Sequence, residues 1–139
     1  LKGEFSYTDR ENLMIASTMA GMVIAQTGTS LPHGMGYPLT YFKNMPHGLA
    51  NGCLYKEYLA VFKDRKKIDN IWALLGLKSY EEMIEILSAL TKVDIEITEE
   101  EIKDYTDSMW NNKSKLKNHP EEVSFEEIYN IYYNTFKNS

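Results

Sequence analysis

Between Glu11 and Lys56 the sequence carries a single formally charged side chain, Lys43. Charged residues are almost never fully buried, so a stretch this long without them predicts burial against another domain or subunit. It does not predict a membrane span. Its longest apolar candidate, residues 14–25, is about a dozen residues long and includes Ser17, Thr18 and Gly21, against the roughly 20 needed to cross a bilayer. The charges sit elsewhere: residues 1–63 carry five basic and four acidic side chains, whereas residues 64–139 carry ten and sixteen. The overall charge of -5 argues against a nucleic-acid partner, which calls for a basic patch. One cysteine, Cys53, excludes an internal disulfide and a Cys-rich zinc site. At 139 residues the chain has the size of one domain. Leu1 is not an initiator methionine and no signal peptide follows it, so a piece of a longer, cytoplasmic protein is expected.

The spacing of apolar residues predicts an all-α fold, a bundle of about seven helices. Thr8 or Asp9 can cap a first helix running through Leu13, Met14, Ala16, Ala20, Val23 and Ile24, with Gly28 as its stop. Its methionines read as core fillers. A second helix is expected over residues 33–42, interrupted or not by Pro38. Pro46 fits the first turn of a third, through Leu49, Cys53, Leu54 and Leu59. Asp64 can cap a fourth, with Ile68, Ile71, Trp72 and Leu75 on one side and Gly76 ending it. Ser79, Thr98 and Ser124 each stand three residues before a glutamate, the spacing of a capping box, and start the last three. Residues 93–97 alone could alternate as a strand. The acidic runs at 81–82 and 99–101 are explained by helix starts.

Chemistry concentrates where charge is absent. His33 and His47 each lie within a Pro-His-Gly triplet, fourteen positions apart. On one unbroken helix they would be about 21 Å apart, whereas two ligands of one metal each lie about 2 Å from it. A shared metal therefore requires a chain reversal, for which Asn44, Met45 and Pro46 supply the breaker. Spacing alone leaves open the alternative that both histidines are hydrogen-bonding loop residues. A zinc-type site needs three or four ligands, and no acid or further histidine of the charge-poor stretch can supply the rest. His119, before Pro120, reads as a bystander. Gly34-Met35-Gly36 lacks the preceding strand and third glycine of a dinucleotide fingerprint. Cys53 reads as a small buried hydrophobe.

Taken together, Arg10-Glu-Asn-Leu-Met-Ile-Ala-Ser-Thr-Met-Ala-Gly-Met22, His33, Met45-Pro-His-Gly-Leu-Ala-Asn51, and a tail from Asn118-His-Pro through Ser124-Phe-Glu-Glu-Ile-Tyr129 resemble the C-terminal half of an iron-containing (group III) alcohol dehydrogenase. The resemblance covers essentially the whole chain. It implies that residues 1–139 are the C-terminal helical metal-binding domain, of dehydroquinate synthase-like type. The N-terminal nucleotide-binding domain would be absent from this chain. It further implies a divalent metal, iron or zinc, held by one aspartate and three histidines. His33 and His47 match the last two of these ligands, and the first two would lie upstream of Leu1.

The implied reaction interconverts small alcohols with aldehydes or ketones by hydride transfer, with NAD or NADP bound mainly by the missing domain. The resemblance names no cofactor-binding residue in this chain. Many family members carry a histidine near the substrate where this chain has Tyr37; a phenol can donate a hydrogen bond but exchanges its proton less readily at neutral pH than an imidazole. A homo-oligomeric full-length enzyme is expected, and this chain alone is expected to fold yet not catalyse. Two alternatives stay open: another member of the superfamily, such as a polyol dehydrogenase or a dehydroquinate-synthase-like enzyme, and a non-catalytic helical interaction module.

Overall fold

The computed structural model describes residues 3–137; Leu1, Lys2, Asn138 and Ser139, the ends of the expected 1–139 domain, lie outside the described residues. Among the described residues nine helices follow one another: α1 (Tyr7–Thr27), α2 (Leu31–Phe42), α3 (His47–Gly52), α4 (Tyr55–Ala60), α5 (Arg65–Leu74), α6 (Tyr80–Leu90), α7 (Glu99–Asn111), α8 (Lys113–Lys117) and α9 (Phe125–Lys137). No strand occurs among the described residues, and 93–97 is irregular. The seven expected helices become nine for two reasons. The one starting at Pro46 divides into α3 and α4, and α8, five residues long, is too short to leave a periodic signature. No helix among the described residues is long and apolar enough to cross a membrane.

Helix starts follow local chemistry. The cap of α1 is Ser6 rather than Thr8 or Asp9. Its hydroxyl accepts from the Asp9 N–H at 3.1 Å, while the Asp9 carboxylate accepts from the Ser6 N–H at 2.9 Å. Asp9 is thus the acidic partner of the box, and Ser6 is the hydroxyl residue placed three before it. Thr98 with Glu101 and Ser124 with Glu127 make the same reciprocal pair. At Ser79 only half of it forms, because the Glu82 carboxylate accepts from the Lys78 N–H instead. Asp64 caps α5 by accepting from the Lys66 N–H. Gly28 and Gly76 follow α1 and α5 with positive φ, 68° and 70°, which a side chain would resist.

The charge-poor stretch divides into two. Its second part forms the core. Leu31, Met35 and Leu39 recur every four residues along α2 and are fully buried; Ile102, Tyr105 and Met109 of α7 and Ile128, Ile131 and Tyr132 of α9 are buried with them. Burying each such side chain contributes about 1.5–3 kcal/mol. Its first part, α1, has no buried residue. The reading of its methionines as core fillers is therefore corrected within this chain: Met14, Met19 and Met22 are 72%, 61% and 65% exposed. Leu13, Met14, Ile15, Val23 and Ile24 place apolar groups all round the helix. Such a helix is at home only when covered on every side, and these residues supply no cover. Asn118 ties its end down by donating to the Thr27 and Thr29 carbonyls.

One buried polar contact joins α9 to α2: the Tyr132 hydroxyl, in a fully buried side chain, donates to the Met35 carbonyl at 2.6 Å. Tyr132→Phe removes the donor and leaves a buried acceptor without it, so the variant should lose about 1–3 kcal/mol of stability. Urea denaturation followed by circular dichroism measures this, and an unchanged midpoint would show that the bond contributes nothing.

Candidate functional site

Helix α2 carries His33 in its first turn and continues through Pro38, which lacks an N–H, to Phe42. Four residues then reverse the chain. The Leu39 carbonyl accepts from the N–H groups of both Lys43 and Met45, and Asn44 adopts a left-handed φ of 52°, a conformation asparagine tolerates better than most residues. The Lys43 ammonium ties this turn to α7 through a 2.7 Å ion pair with Glu101, whose carboxyl is held below its usual range chiefly by that contact. Pro46 precedes α3, and His47 opens it. The reversal that a shared ion would require is therefore present.

It brings the two imidazoles together, with ring planes tilted by 56° and His33 Nδ1 and His47 Nε2 separated by 3.2 Å. Two nitrogens at that separation, each about 2.0–2.1 Å from one cation, subtend about 103° at it, within the range of tetrahedral and octahedral coordination. The pair thus fits a divalent ion as two of its ligands. Among the described residues no group of three or more His, Cys, Asp or Glu side chains stands ready to hold one. His33 is held below the ordinary histidine pKa, first by burial and then by repulsion from His47 and Lys115. That favours the neutral imidazole, the form that binds metal.

Several neighbours escaped the sequence reading. Thr40 Oγ1 lies 3.4 Å from His47 Nδ1, on the ring edge opposite His33. The buried Asn51 places Nδ2 3.3 Å from His33 Nδ1 and 3.1 Å from His47 Nε2. Its position one helical turn after His47 was the available signal, since residues four apart share a face. Lys115, on α8, bonds the Thr29 hydroxyl and holds its ammonium 5.5 Å from the centre of the Tyr37 ring. Nothing in the local sequence links residue 115 to residue 37; packing alone does.

Tyr37 lies one turn beyond His33, and its ring stacks on His47 at 5.7 Å with 12° between planes. It is 45% exposed. Gly34 and Gly36 have packing roles. A Cβ on Gly34 would sit 2.4 Å from Met109 Sδ, and one on Gly36 would sit 1.9 Å from Asn51 Oδ1. Two residues apart on a helix, they let α7 approach one side of α2 and α3 another. His119 belongs elsewhere: it is buried against Tyr58 and Phe62, and its Nδ1 lies 2.7 Å from the Glu121 carbonyl, to which it can donate. Burial pushes the Cys53 thiol up to about 11, which leaves it a poor nucleophile.

Residues 2–136 match the family described as Fe-containing alcohol dehydrogenase family, C-terminal. The chain is 34% identical over 70 residues to a lactaldehyde reductase of Escherichia coli K12, covering 49% of this chain and 18% of that protein. It is 28% identical over 141 residues to an alcohol dehydrogenase of Thermococcus barophilus, covering 91% of this chain and 36% of the relative. Among solved structures it resembles an iron-containing alcohol dehydrogenase of Thermotoga maritima, with a TM-score of 0.82 and 33% identity, over 94% of this chain and 36% of the other. The chain thus spans about a third or less of the length of these relatives.

The close approach of α3 to α2 generates a stability test. Gly36→Ala drives a methyl group into the Asn51 carboxamide, which is itself buried, so an overpacking cost of about 1–3 kcal/mol is expected. Gly48→Ala, at a position where a Cβ meets nothing within 4 Å, should cost far less. Equal denaturation midpoints for the two variants would contradict the geometry.

Proposed function

We propose a function from one premise: the chain belongs to the Fe-containing alcohol dehydrogenase family, whose C-terminal part it matches. On this reading it contributes His33 and His47 as two ligands of a divalent metal, iron or zinc, in an enzyme that interconverts alcohols with aldehydes or ketones using NAD or NADP. The observation that supports it best is the convergence of two imidazole nitrogens to 3.2 Å across the reversal at Asn44. An aspartate, a further histidine and most of the nicotinamide site would come from outside this chain.

The metal would supply Lewis acidity toward the alcohol or carbonyl oxygen, while the nicotinamide takes or gives the hydride. The chain's own residues prepare the site. Thr40 can accept from His47 Nδ1–H, leaving Nε2 free as the ligand atom, the outer-shell arrangement that fixes a metal-binding histidine. Partial burial lowers the His33 pKa and so favours its neutral form. Tyr37, stacked on His47 and half-exposed, would stand on the substrate side and could donate a hydrogen bond there. The bare apolar surface of α1 would be covered by the remainder of the enzyme, which also excludes water from the cleft.

In the complete enzyme, His33→Ala and His47→Ala should each lower bound metal and alcohol oxidation together, the latter by at least about 100-fold, above the 10–100-fold typical of losing only an outer-shell partner. Tyr37→Phe should retain the metal and alter turnover or its pH profile more modestly. Metal analysis by mass spectrometry alongside NAD(P)-coupled assays separates these cases. Full metal content and unchanged turnover in both histidine variants would refute the ligand roles, and metal loss in Tyr37→Phe would refute its placement.

A further inference from the structure

We propose that Lys115 selects substrates carrying a carboxylate some way from the reacting carbon, so that hydroxy acids and the corresponding oxo acids are preferred over neutral alcohols and aldehydes. Its ammonium stands beside Tyr37 and, among the described residues, has no anionic partner. The inference deepens the proposed function and rests on that reading of the site around His33 and His47.

The stem of Lys115 runs over α2 next to the histidines. Its Cγ lies 3.2 Å from the place a Cβ would take on Gly34, the residue after His33, so the bare glycine leaves room for the stem. Beyond it the ammonium bonds the Thr29 hydroxyl and stays 5.5 Å from the centre of the Tyr37 ring. That ring is itself stacked on His47, at 5.7 Å. The cation is thus one aromatic ring away from the histidine pair, a gap that a short carbon chain can span.

An ammonium has three N–H donors, and the Thr29 hydroxyl takes one of them. The Tyr37 ring face adds attraction but no charge. Among the described residues two ion pairs form, Lys43–Glu101 and Lys56–Glu57, and neither includes Lys115. Thr29, Gly34 and Tyr37 belong to a stretch, residues 12–55, without one acidic side chain. Residues 108–120, around Lys115 itself, hold three lysines and no acid. Helix α7, which also packs on α8, has its last acid at Asp107. Lys115 is nevertheless half-buried, and a charge drawn partly out of water is costly unless it is paired. The pairing is left to a ligand. One ammonium balances one negative charge, which fits a carboxylate better than a doubly charged phosphate. The far end of such a substrate would present its hydroxyl or carbonyl beside Tyr37. The redox step itself is unchanged: the carbinol carbon gives hydride to the oxidised nicotinamide, the hydroxyl gives its proton to solvent, and the carboxylate takes no part.

The test compares the complete enzyme with its Lys115→Met and Lys115→Arg variants. Hydroxy acids from glycolate to ω-hydroxyhexanoate are assayed against neutral primary alcohols of the same carbon number. In the wild type, kcat/KM should favour at least one hydroxy acid by about 10- to 100-fold, the worth of a hydrogen bond to a charged group. That acid-to-alcohol ratio should collapse in Lys115→Met and persist in Lys115→Arg. A second measurement is independent of turnover: calorimetric titration of metal-stripped enzyme with butanoate, which has the carboxylate but no hydroxyl, should show binding that Lys115→Met weakens to a similar extent. No acid preference at any chain length, a ratio unchanged in Lys115→Met, or butanoate bound equally by wild type and Lys115→Met overturns the inference. So does a rise in KM for NAD or NADP alone, which would put the ammonium on the dinucleotide's phosphates. Neutral alcohols oxidised without any acid preference leave the proposed function standing. If no alcohol is oxidised in a metal-dependent way, that function is refuted, and the butanoate titration decides about Lys115 by itself.

Discussion

Burial of one stripe of α2 governs the rest of this molecule. Leu31, Met35 and Leu39 are fully enclosed, and Tyr132 reaches across from α9 to bond the Met35 carbonyl between them. That anchoring fixes the rotation of the helix about its axis. Residues on the remaining faces are then assigned without further choice: Gly34 meets α7, Gly36 meets α3, and His33, Tyr37 and Thr40 gather around His47. A site built on a helix locked by its own core needs little additional ordering, the usual requirement for groups that must meet within a few tenths of an ångström.

The second constraint is the short turn from α2 to α3. It brings His47 back beside His33, and it does so with a left-handed Asn44, two hydrogen bonds to the Leu39 carbonyl and the Lys43–Glu101 ion pair. The lysine is the single charge in a long uncharged run, and it is spent at the reversal. Its partner Glu101 also closes the capping box of α7. One carboxylate therefore couples the start of a core helix to the turn that assembles the site.

Absence of charge turns out to have two meanings in one sequence. In α2 and α3 it marks a stripe enclosed by this chain itself, Leu31, Met35, Leu39 and Ala50, while Tyr37, Tyr41 and Phe42 stay exposed. In α1 it marks a surface that this chain leaves bare, with apolar groups around the whole circumference and no buried residue. The family match over residues 2–136, together with coverage of only 36% of the Thermotoga maritima protein, is consistent with α1 being part of a larger core.

Local chemistry made the helical class readable, because caps and periodicity act over three or four residues: Asp64, Thr98, Ser124, Gly28 and Gly76 punctuate the chain where their side chains or their freedom of φ demand. The two histidines and the breaker between them were legible for the same reason. The division of α3 from α4 was not, nor were the short α8 and the Ser6 cap, since segments of five or six residues carry no period and a box closed by aspartate is a fainter sign than one closed by glutamate. Asn51, Thr40, Gly36 and Lys115 acquire their roles only through helices crossing in space. Sequence fixes which side chains share a helix face; it does not fix the rotation at which two helices meet, and that rotation decided which atoms surround His33 and His47.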